Sequence, residues 1–275
     1  MKTNNKLMDR FGLAGKTALV TGGGSGIGKE ITRIFAEAGA TVMIAARKED
    51  RLNEAAAEIA GDTGATIHVK RADLAERSVP DDLIKHAQKT MGRLDILVCN
   101  AAVDPVVKTT EYTDEQYDFV MDVNLRANCD MTKAAVPAMK EKGWGRIIYV
   151  SSLSSTKGFN KMNLGMYAAS KAGLEGYARF AAAELGTYGI TVNTLAPGAI
   201  HTQIIEPTFK EAGISDEQME QIFQYHSSLC ALNRWGQAEE MAGAVLLLAS
   251  DAGSYITGSR LMADGGWDIL GDNVG

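Results

Sequence analysis

The chain has 275 residues, of which 45% are hydrophobic and 23% are charged, and its formal net charge at pH 7 is −6. This length suits one large α/β domain or two small ones, and the apolar fraction is ample for a sizeable core. The negative net charge excludes a bulk electrostatic attraction to nucleic acid or acidic membranes, so we expect neither as a partner.

Short apolar runs alternate along the chain with longer helical stretches, which predicts strands joined by helices. The predicted strands are Thr17–Thr21, Thr41–Ala45, Thr66–Lys70, Asp95–Cys99, Arg146–Val150, Ile190–Leu195 and a short Arg260–Met262. The predicted helices are Gly26–Ala38, Glu49–Ala60, Pro80–Met91, Asp114–Lys142, Tyr167–Tyr188 and Glu239–Leu248. We therefore predict one Rossmann-like α/β domain over residues 1–275, a doubly wound parallel sheet of about seven strands with helices on both faces.

Residues 202–232 interrupt the alternation, because this stretch is too long for an ordinary connection between a strand and a helix. It follows the sixth predicted strand, and open α/β sheets bind ligands beyond the carboxyl ends of their strands. We predict that it is a substrate-loop insertion. Its apolar residues are Ile204, Ile205, Phe209, Met219, Ile222 and Phe223.

The expected location is the cytoplasm. The polar first 16 residues lack the apolar core of a signal peptide, and no run approaches the length of a membrane span. Cys99, Cys129 and Cys230 are odd in number and widely spaced, as expected for free thiols in a reducing compartment. The four histidines show no metal-ligand spacing, so no metal site is predicted.

A glycine-rich turn follows the first predicted strand and opens a helix: Thr21-Gly22-Gly23-Gly24-Ser25-Gly26-Ile27-Gly28. Glycine lets the backbone bend sharply and come close to a pyrophosphate, which the helix N-terminus attracts with free N–H groups. This position within a βαβ unit indicates a dinucleotide site. The residues predicted to bind the cofactor here are Gly22, Gly24, Ser25, Gly26, Ile27 and Gly28.

Tyr167 and Lys171 lie four residues apart, on one face of a predicted helix. Reducing a ketone requires a hydride at carbon and a proton at oxygen, and tyrosine is a suitable proton donor. Its ordinary pKa of about 10 is too high for exchange near neutrality. A nearby cation lowers that pKa, so we expect Lys171, together with an oxidised nicotinamide, to lower the pKa of Tyr167.

The T-G-x-x-x-G-x-G spacing and the Y-x-x-x-K pair make the chain similar, from Gly12 to Gly266, to the compact branch of the short-chain dehydrogenase/reductase family. The resemblance implies that Lys171 also holds the nicotinamide ribose. It implies further cofactor contacts, in which Asp73 accepts a hydrogen bond from adenine. The other positions that the resemblance assigns to the cofactor are Leu74, Asn100, Ala101, Pro197, Gly198, Ile200 and Thr202.

The form of the cofactor depends on the end of the second strand. Where NAD-binding folds usually present a carboxylate to the ribose 2′-hydroxyl, the resemblance places Ala46, followed by Arg47 and Lys48. An arginine grips a 2′-phosphate with its fork of donors. We expect NADP(H) in preference to NAD(H), with Arg47 as the main clamp, although Ser25 stands where many NADP-using relatives carry a second basic residue.

A serine is expected to hold the substrate oxygen. Ser152 has the strand-end context that the family shows, whereas the usual spacing back from Tyr167 reaches Ser154; we choose Ser152 and keep Ser154 as the alternative. Asn124, a poor helix former within a long predicted helix, predicts a local distortion. The resemblance implies that it anchors a water beside the lysine, with Asn128 as the less favoured candidate.

These residues predict an NADP(H)-dependent enzyme that interconverts a medium-sized hydrophobic ketone and a secondary alcohol, with Tyr167 as general acid/base. The residues expected near the substrate are Leu153, Phe159, Met162 and Met166. The alternatives are a 3-oxoacyl-thioester reductase and, more remotely, a non-catalytic cofactor sensor. His201 is interpreted as a bystander.

The resemblance also implies a homodimer or a homotetramer, because the family builds these assemblies on the helices that correspond to Asp114–Lys142 and Tyr167–Tyr188. The second of these helices carries a stripe of residues at helical spacing, which fits either such a contact or packing on its own sheet: Ala168, Ala172, Gly176 and Phe180.

Overall fold

The structure is a computed structural model that describes residues 6–159, 162–202 and 213–270. Its strands are β1 (Thr17–Thr21), β2 (Thr41–Ala46), β3 (Ile67–Arg71), β4 (Ile96–Cys99), β5 (Gly145–Val150), β6 (Ile190–Pro197), β7 (Ile200–His201), β8 (Gly236–Gln237) and β9 (Arg260–Ala263). Seven of them form one parallel sheet in the order β3-β2-β1-β4-β5-β6-β9, while β7 and β8 form a separate parallel pair. The predicted Rossmann-like parallel sheet is confirmed.

The helices pack on both faces of the sheet. They are α1 (Lys6–Phe11), α2 (Gly26–Glu37), α3 (Glu49–Thr63), α4 (Val79–Met91), α5 (Asp114–Met121), α6 (Ala127–Lys142), α7 (Gly165–Leu185), α8 (Asp216–Ser228) and α9 (Ala238–Ala249). Buried side chains of α2, α3 and α9 share one apolar core, and those of α4, α6 and α7 share another on the opposite face. Successive β1 residues alternate between these cores, as the two-residue repeat of a strand requires.

Three departures from the predicted elements have physical causes. The predicted helix Asp114–Lys142 is divided into α5 and α6 by a π-helical turn, Asp122–Arg126. Strand β6 continues past the predicted end to Pro197, because its last residues pair with β9. Helix α8 lies in the predicted insertion and starts from a capping box in which Ser215 and Gln218 each bond the other's backbone.

Along the described ranges, no helix is both long enough and apolar enough to cross a membrane. Among these same residues, no group of three or more metal-ligating side chains is arranged to hold a metal ion. Residues 203–212 of the predicted insertion lie outside the described ranges, and with them Ile204, Ile205 and Phe209.

A buried carboxylate ties together the amino ends of the central strands. Asp95, which is fully buried, accepts hydrogen bonds from the Thr17 amide at 2.9 Å, from Arg93 Nε at 2.7 Å and from Lys142 Nζ. Burial alone raises the pKa of Asp95, but the hydrogen bonds from Lys142, Thr17 and Arg93 outweigh it and hold that pKa below its ordinary value. Asp95 thus fixes β1 and β4 at the end opposite to their ligand-binding edge.

Replacing Asp95 with asparagine keeps the side-chain volume but removes the charge. We expect Asp95→Asn to lower the free energy of unfolding at pH 7 by about 1–3 kcal/mol, because charge-assisted hydrogen bonds are lost. Since the folded-state pKa of Asp95 is lowered, this stabilisation is present at neutral pH and disappears as the pH falls through that pKa. Urea unfolding of the wild type and of Asp95→Asn, at pH 7 and at a pH below the Asp95 pKa, measures this difference in the free energy of unfolding.

The control for this experiment is Asp81→Asn, because Asp81 is an exposed carboxylate on α4 that pairs only with the exposed Lys85 across the described chain. It should change the free energy of unfolding very little. Equal losses for the two variants, or a loss for Asp95→Asn that does not depend on pH, contradict the assigned role of Asp95.

Candidate active site

The candidate site lies at the carboxyl ends of β1, β4 and β5. Strands β1 and β4 are neighbours in the sheet, and the order of the strands reverses between them. Such a reversal opens a crevice, because the connections that follow the two strands turn to opposite faces of the sheet. The glycine-rich turn follows β1, Asn100 follows β4 and Ser151 follows β5. The sheet therefore brings together segments that are far apart in sequence.

The glycine-rich turn is held against the start of α2 by very close backbone contacts. A Cβ atom on Gly28 would lie 2.3 Å from the Gly22 carbonyl oxygen and 2.5 Å from Asn100 Nδ2. Gly22 itself has a φ of +69°, which glycine adopts without strain. Asn100 Nδ2 donates to the Thr21 carbonyl at 2.9 Å and lies 3.4 Å from that of Gly22. Asn100 thus lines the groove, but its amide holds the turn and does not point freely at a ribose.

The groove beside this turn fits a dinucleotide. Helix α2 begins after Ser25, which makes no side-chain cap, and its first turn carries no acidic residue, so neither offsets the positive end of the helix dipole. The cavity has a volume of about 430 Å³. Its lining includes most of the residues predicted to bind the cofactor: Gly22, Gly24, Ser25, Gly26, Ile27, Gly28, Arg47, Lys48, Asp73, Leu74, Asn100, Ala101 and Thr202.

Three cations line the far end of this groove. Arg47 and Lys48 follow β2 as predicted, and Arg51 joins them from the first turn of α3. All three are exposed, and none makes an ion pair with a carboxylate in the described chain. Sequence reasoning missed Arg51; its spacing of four residues from Arg47, across the helix start, was the available signal. This end of the groove attracts an anion.

The segment after β6 lies only partly in the groove. Thr202 lines the groove and its side chain faces Gly26. Gly198 passes close to the residues after β9, because a Cβ there would lie 2.7 Å from the Asp264 backbone, and its contact with the cofactor remains a prediction. Ile200 is buried in β7 and lines a second cavity, and the His201 ring lies 5.7 Å from that of Phe223.

Lys171 is buried at 2% exposure, and its Nζ donates to the Val150 carbonyl at 2.7 Å. Burial lowers the pKa of Lys171 to about 8, although Cys99, Asp104 and Glu175 act to raise it. The ammonium lies 5.5 Å from the centre of the Tyr167 ring. The predicted pair is therefore assembled, with the lysine cation held by the end of β5.

The pKa of Tyr167 departs from the prediction. Burial raises it to about 12, while a hydrogen bond with the Ser152 side chain lowers it and the Asp104 charge raises it. The expected lowering by Lys171 is not found, because the loss of water around the phenol outweighs the effect of Ser152 and Lys171 is turned to Val150.

The two candidate serines occupy different positions. The Ser152 side chain accepts from the Ser154 amide at 3.1 Å, and it is the serine that acts to lower the Tyr167 pKa. Ser154 lies in the short 3₁₀ turn Leu153–Ser155 that Ser152 caps. The effect on the phenol favours Ser152 over Ser154 as the residue beside Tyr167. The catalytic role of Ser152 remains a prediction.

Asn124 is buried in the π-helical turn, which confirms the predicted distortion. Its side chain pairs with the Val103 backbone, accepting from the amide and donating to the carbonyl at 2.8 Å each, and donates to Ser170 Oγ at 3.1 Å. Asn128 donates to the Asn124 carbonyl at 2.7 Å. Asn124 thus joins the loop after β4 to α7; its role as a water anchor remains a prediction.

Aromatic residues cover the side of the site away from the groove. Phe159 packs on Trp267 with ring centres 5.0 Å apart, in a small apolar cluster that includes Leu153. The His226 ring lies 5.5 Å from both Trp235 and Trp267. Sequence reasoning missed this cluster except for Leu153 and Phe159, because its other members come from α8, the residues between α8 and β8, and the residues after β9.

Comparison with known proteins agrees with this geometry. A family model described as Enoyl-(Acyl carrier protein) reductase matches residues 22–268. Dehydrogenase/reductase SDR family member 4 of Oryctolagus cuniculus is 38% identical over 259 residues, which cover 92% of this chain and 94% of the relative. The 3-oxoacyl-(acyl-carrier-protein) reductase FabG of Rickettsia conorii is 38% identical over 256 residues, covering 92% and 97%.

The crystal structure of a 3-oxoacyl (acyl-carrier-protein) reductase from Agrobacterium tumefaciens with NADP bound has a TM-score of 0.88 at 32% identity, covering 96% of this chain and 99% of that one. The fold, the groove and these matches define a nicotinamide-dependent oxidoreductase that acts on CH–OH or carbonyl groups. The chain belongs to the short-chain dehydrogenase/reductase family.

The contact of Gly28 with Gly22 generates a prediction. We expect Gly28→Ala to lower the free energy of unfolding by about 1–3 kcal/mol, because neither backbone segment can move away from the added methyl group. The variant should also bind a nicotinamide dinucleotide more weakly, with NADPH as the probe, since the displaced turn is the wall of the groove. Urea unfolding and NADPH fluorescence titration measure the two effects.

Gly61→Ala is the matched control, because a Cβ at Gly61 in α3 meets no atom within 4 Å. This change should stabilise the protein by about 0.5–1 kcal/mol, as expected for alanine replacing glycine inside a helix. A Gly28→Ala protein with wild-type stability and NADPH affinity contradicts the assigned packing.

Proposed function

We propose that this protein is an NADP(H)-dependent reductase that interconverts a hydrophobic ketone and a secondary alcohol. The observation that carries the proposal is the pair of Tyr167 and the buried Lys171. Lys171 Nζ lies 5.5 Å from the centre of the phenol ring and donates to the carbonyl at the end of β5, at the sheet edge that also carries the dinucleotide groove. A nicotinamide dinucleotide, when bound, supplies or accepts the hydride. The protein must then supply or accept one proton at the substrate oxygen.

Each residue has a distinct part in that proton transfer. The Tyr167 phenol gives its proton to the carbonyl oxygen during reduction, and the Ser152 hydroxyl donates a hydrogen bond to the same oxygen as charge develops there. To stabilise the phenolate that remains, the Lys171 ammonium, 5.5 Å from the ring centre in this structure, turns from the Val150 carbonyl toward the phenol oxygen. Asn124 keeps the loop after β4 in register with α7 and so holds the site together.

The preference for NADP(H) rests on Arg47, Lys48 and Arg51. Their charges meet at the end of the groove where the adenosine ribose of a dinucleotide would lie, and Ala46 leaves that place without a carboxylate. Guanidinium groups bind phosphate through paired hydrogen bonds, whereas a 2′-hydroxyl gains little from them. Asp73, whose Oδ1 accepts from the Ala75 amide at 3.1 Å, lines the groove nearby.

The substrate class rests on the aromatic cluster. Phe159, Trp267 and Leu153 present an apolar wall beside Ser152, which favours a hydrophobic ketone over a sugar phosphate. A 3-oxoacyl-thioester reductase is the second candidate, favoured by the names of the relatives from Rickettsia conorii and Agrobacterium tumefaciens. Comparing kcat/KM for free ketones and 3-oxoacyl thioesters distinguishes the two.

A homodimer or homotetramer is also proposed. On α7, Ala172 is exposed and Phe180 is 81% exposed, so the predicted stripe does not pack on its own sheet over this part. An exposed phenylalanine beside small residues is typical of a face that a second helix covers. Sedimentation velocity of the wild type against Phe180→Asp measures this directly, and a wild-type monomer contradicts it.

The role of Tyr167 gives a direct test. We expect Tyr167→Phe to lower kcat by about 10²–10⁴-fold, because the proton donor is removed while the ring and its packing remain. NADPH affinity should stay within about threefold of wild type, a difference of well under 1 kcal/mol. Oxidation of NADPH at 340 nm with a ketone panel measures the first, and fluorescence titration the second.

Tyr177→Phe is the control for that experiment, because Tyr177 lies on the same helix and packs its ring against Tyr149. Full activity in Tyr167→Phe overturns the assignment of the proton donor. A wild-type protein that binds NADPH but turns over no ketone or thioester supports the cofactor-sensor alternative.

The cofactor claim has its own test. We expect Arg47→Ala and Arg51→Ala each to raise the Kd for NADPH by about tenfold or more, because a charge-assisted contact to the 2′-phosphate is lost. The Kd for NADH should change little in both. Arg77→Ala, an exposed arginine outside the groove lining, is the control. Unchanged NADPH affinity in both variants overturns the preference for NADP(H).

A further inference from the structure

The carboxylate of Glu175 is buried next to the site and has no part in the proton transfer proposed above. Glu175 is on α7, one turn beyond Lys171, and is only 4% exposed. Its Oε1 accepts from Ser151 Oγ at 2.6 Å, lies 2.7 Å from Ser155 Oγ and accepts from Arg260 Nε at 3.0 Å. Three side chains from two other segments therefore converge on one buried carboxylate oxygen.

The same cluster also contacts the backbone carbonyl of Ser152. Ser155 Oγ lies 2.7 Å from the Ser152 carbonyl oxygen, so its single proton is shared between that carbonyl and Glu175. The Arg260 guanidinium lies 3.2 Å from Ser155 Oγ and 3.5 Å from the Ser152 carbonyl. Ser152 follows directly on Ser151, which Glu175 holds from the other side. The orientation of the Ser152 hydroxyl therefore depends on contacts that start from Glu175.

The same carboxylate acts on Lys171 through its charge. Burial lowers the pKa of Lys171, and Cys99, Asp104 and, to a smaller extent, Glu175 act to raise it; Glu175 is a neighbour of Lys171 because residues four apart on a helix share a face. The other groups that act on Lys171 are Cys99 from β4 and Asp104 from the loop that follows it, while the Tyr167 ring lies 5.5 Å away on the same helix. Of the two carboxylates, Glu175 is buried and Asp104 is exposed.

We propose that Glu175, anchored by Arg260, is a positioning residue of the site, which fixes the Ser152 hydroxyl for the substrate oxygen and keeps Lys171 protonated. This inference rests on the proposed reductase function for its kinetic consequences. Its electrostatic part, the effect of Glu175 on the protonation of Lys171, can be measured in the protein without substrate. A purely structural role for the Glu175–Arg260 pair makes a different prediction, since it affects stability but neither the protonation of Lys171 nor the pH profile.

The variant that tests this is Glu175→Gln, which keeps the acceptor oxygen and the volume but removes the charge. We expect kcat to fall by about 10–100-fold with NADPH affinity unchanged, because Arg260 loses its ion pair and no longer fixes the Ser152 segment, while the groove is intact. The alkaline limb of the kcat/KM profile should move to lower pH. Without Glu175 the pKa of Lys171, about 8 in the wild type, falls, and the cation is lost earlier as the pH rises.

Glu184→Gln is the matched control, the same change at an exposed position on the same helix, and it should leave both the rate and the profile unchanged. A direct readout needs no substrate: NMR of labelled lysine follows the pKa of Lys171 in both variants. If that pKa is unchanged in Glu175→Gln, the electrostatic part is overturned, whether or not any ketone is turned over. If the wild type turns over nothing while the pKa falls as expected, the proposed function alone fails.

Ser155→Ala tests the positioning part separately and keeps the proposal falsifiable if Glu175→Gln does not fold. It releases the Ser152 carbonyl but leaves the Glu175 charge in place. We expect a lower kcat with an unchanged pH profile, and Arg260→Lys should retain more activity than Arg260→Met. A wild-type kcat in Ser155→Ala overturns the positioning of Ser152 by this cluster.

Discussion

Lys171 carries an ammonium group inside the protein, at 2% exposure, and a buried cation is stable only where acceptors and opposite charges replace its water. The site meets this need with the Val150 carbonyl at the end of β5 and with Glu175 one turn along the same helix. Because Lys171 must reach the carbonyl at the end of β5, the position of α7 along the strand direction is fixed. That requirement also sets where the Tyr167 phenol lies, and with it the contact to Ser152.

The sheet accounts for the rest of the assembly. Its order puts β1, β4 and β5 side by side, so the glycine-rich turn, Asn100 and Ser152 reach one edge although they are far apart in the chain. Asp95 secures the opposite end of the same strands through contacts to Thr17 and Lys142. Rigid strand ends of this kind hold a small number of polar groups more accurately than loops alone, which suits a reaction that depends on sub-ångström placement.

Much of the fold was predictable because both faces of the sheet are covered, so each strand is a short, continuous apolar run in the sequence. β1 and the start of α2 agree with their predicted bounds. Glycine spacing located the groove, since only glycine permits the contact of Gly28 with Gly22. What escaped prediction depends on packing between distant segments. Arg51 enters the groove through the rotation of α3, and Arg260 meets Glu175 through the pairing of β9 with β6.

The π-helical turn Asp122–Arg126 places one additional residue in what is otherwise a helical rod from α5 to α6. Each residue of an α-helix turns the chain by about 100°, so removing one here would swing α6 through that angle relative to α5. Asn124 could then not keep its hydrogen bond to the Val103 carbonyl while α6 keeps its buried face against the sheet. The number of residues between Thr113 and Gly143 is therefore as constrained as their identity, and sequence drift along this rod must proceed by substitution, without insertion or deletion.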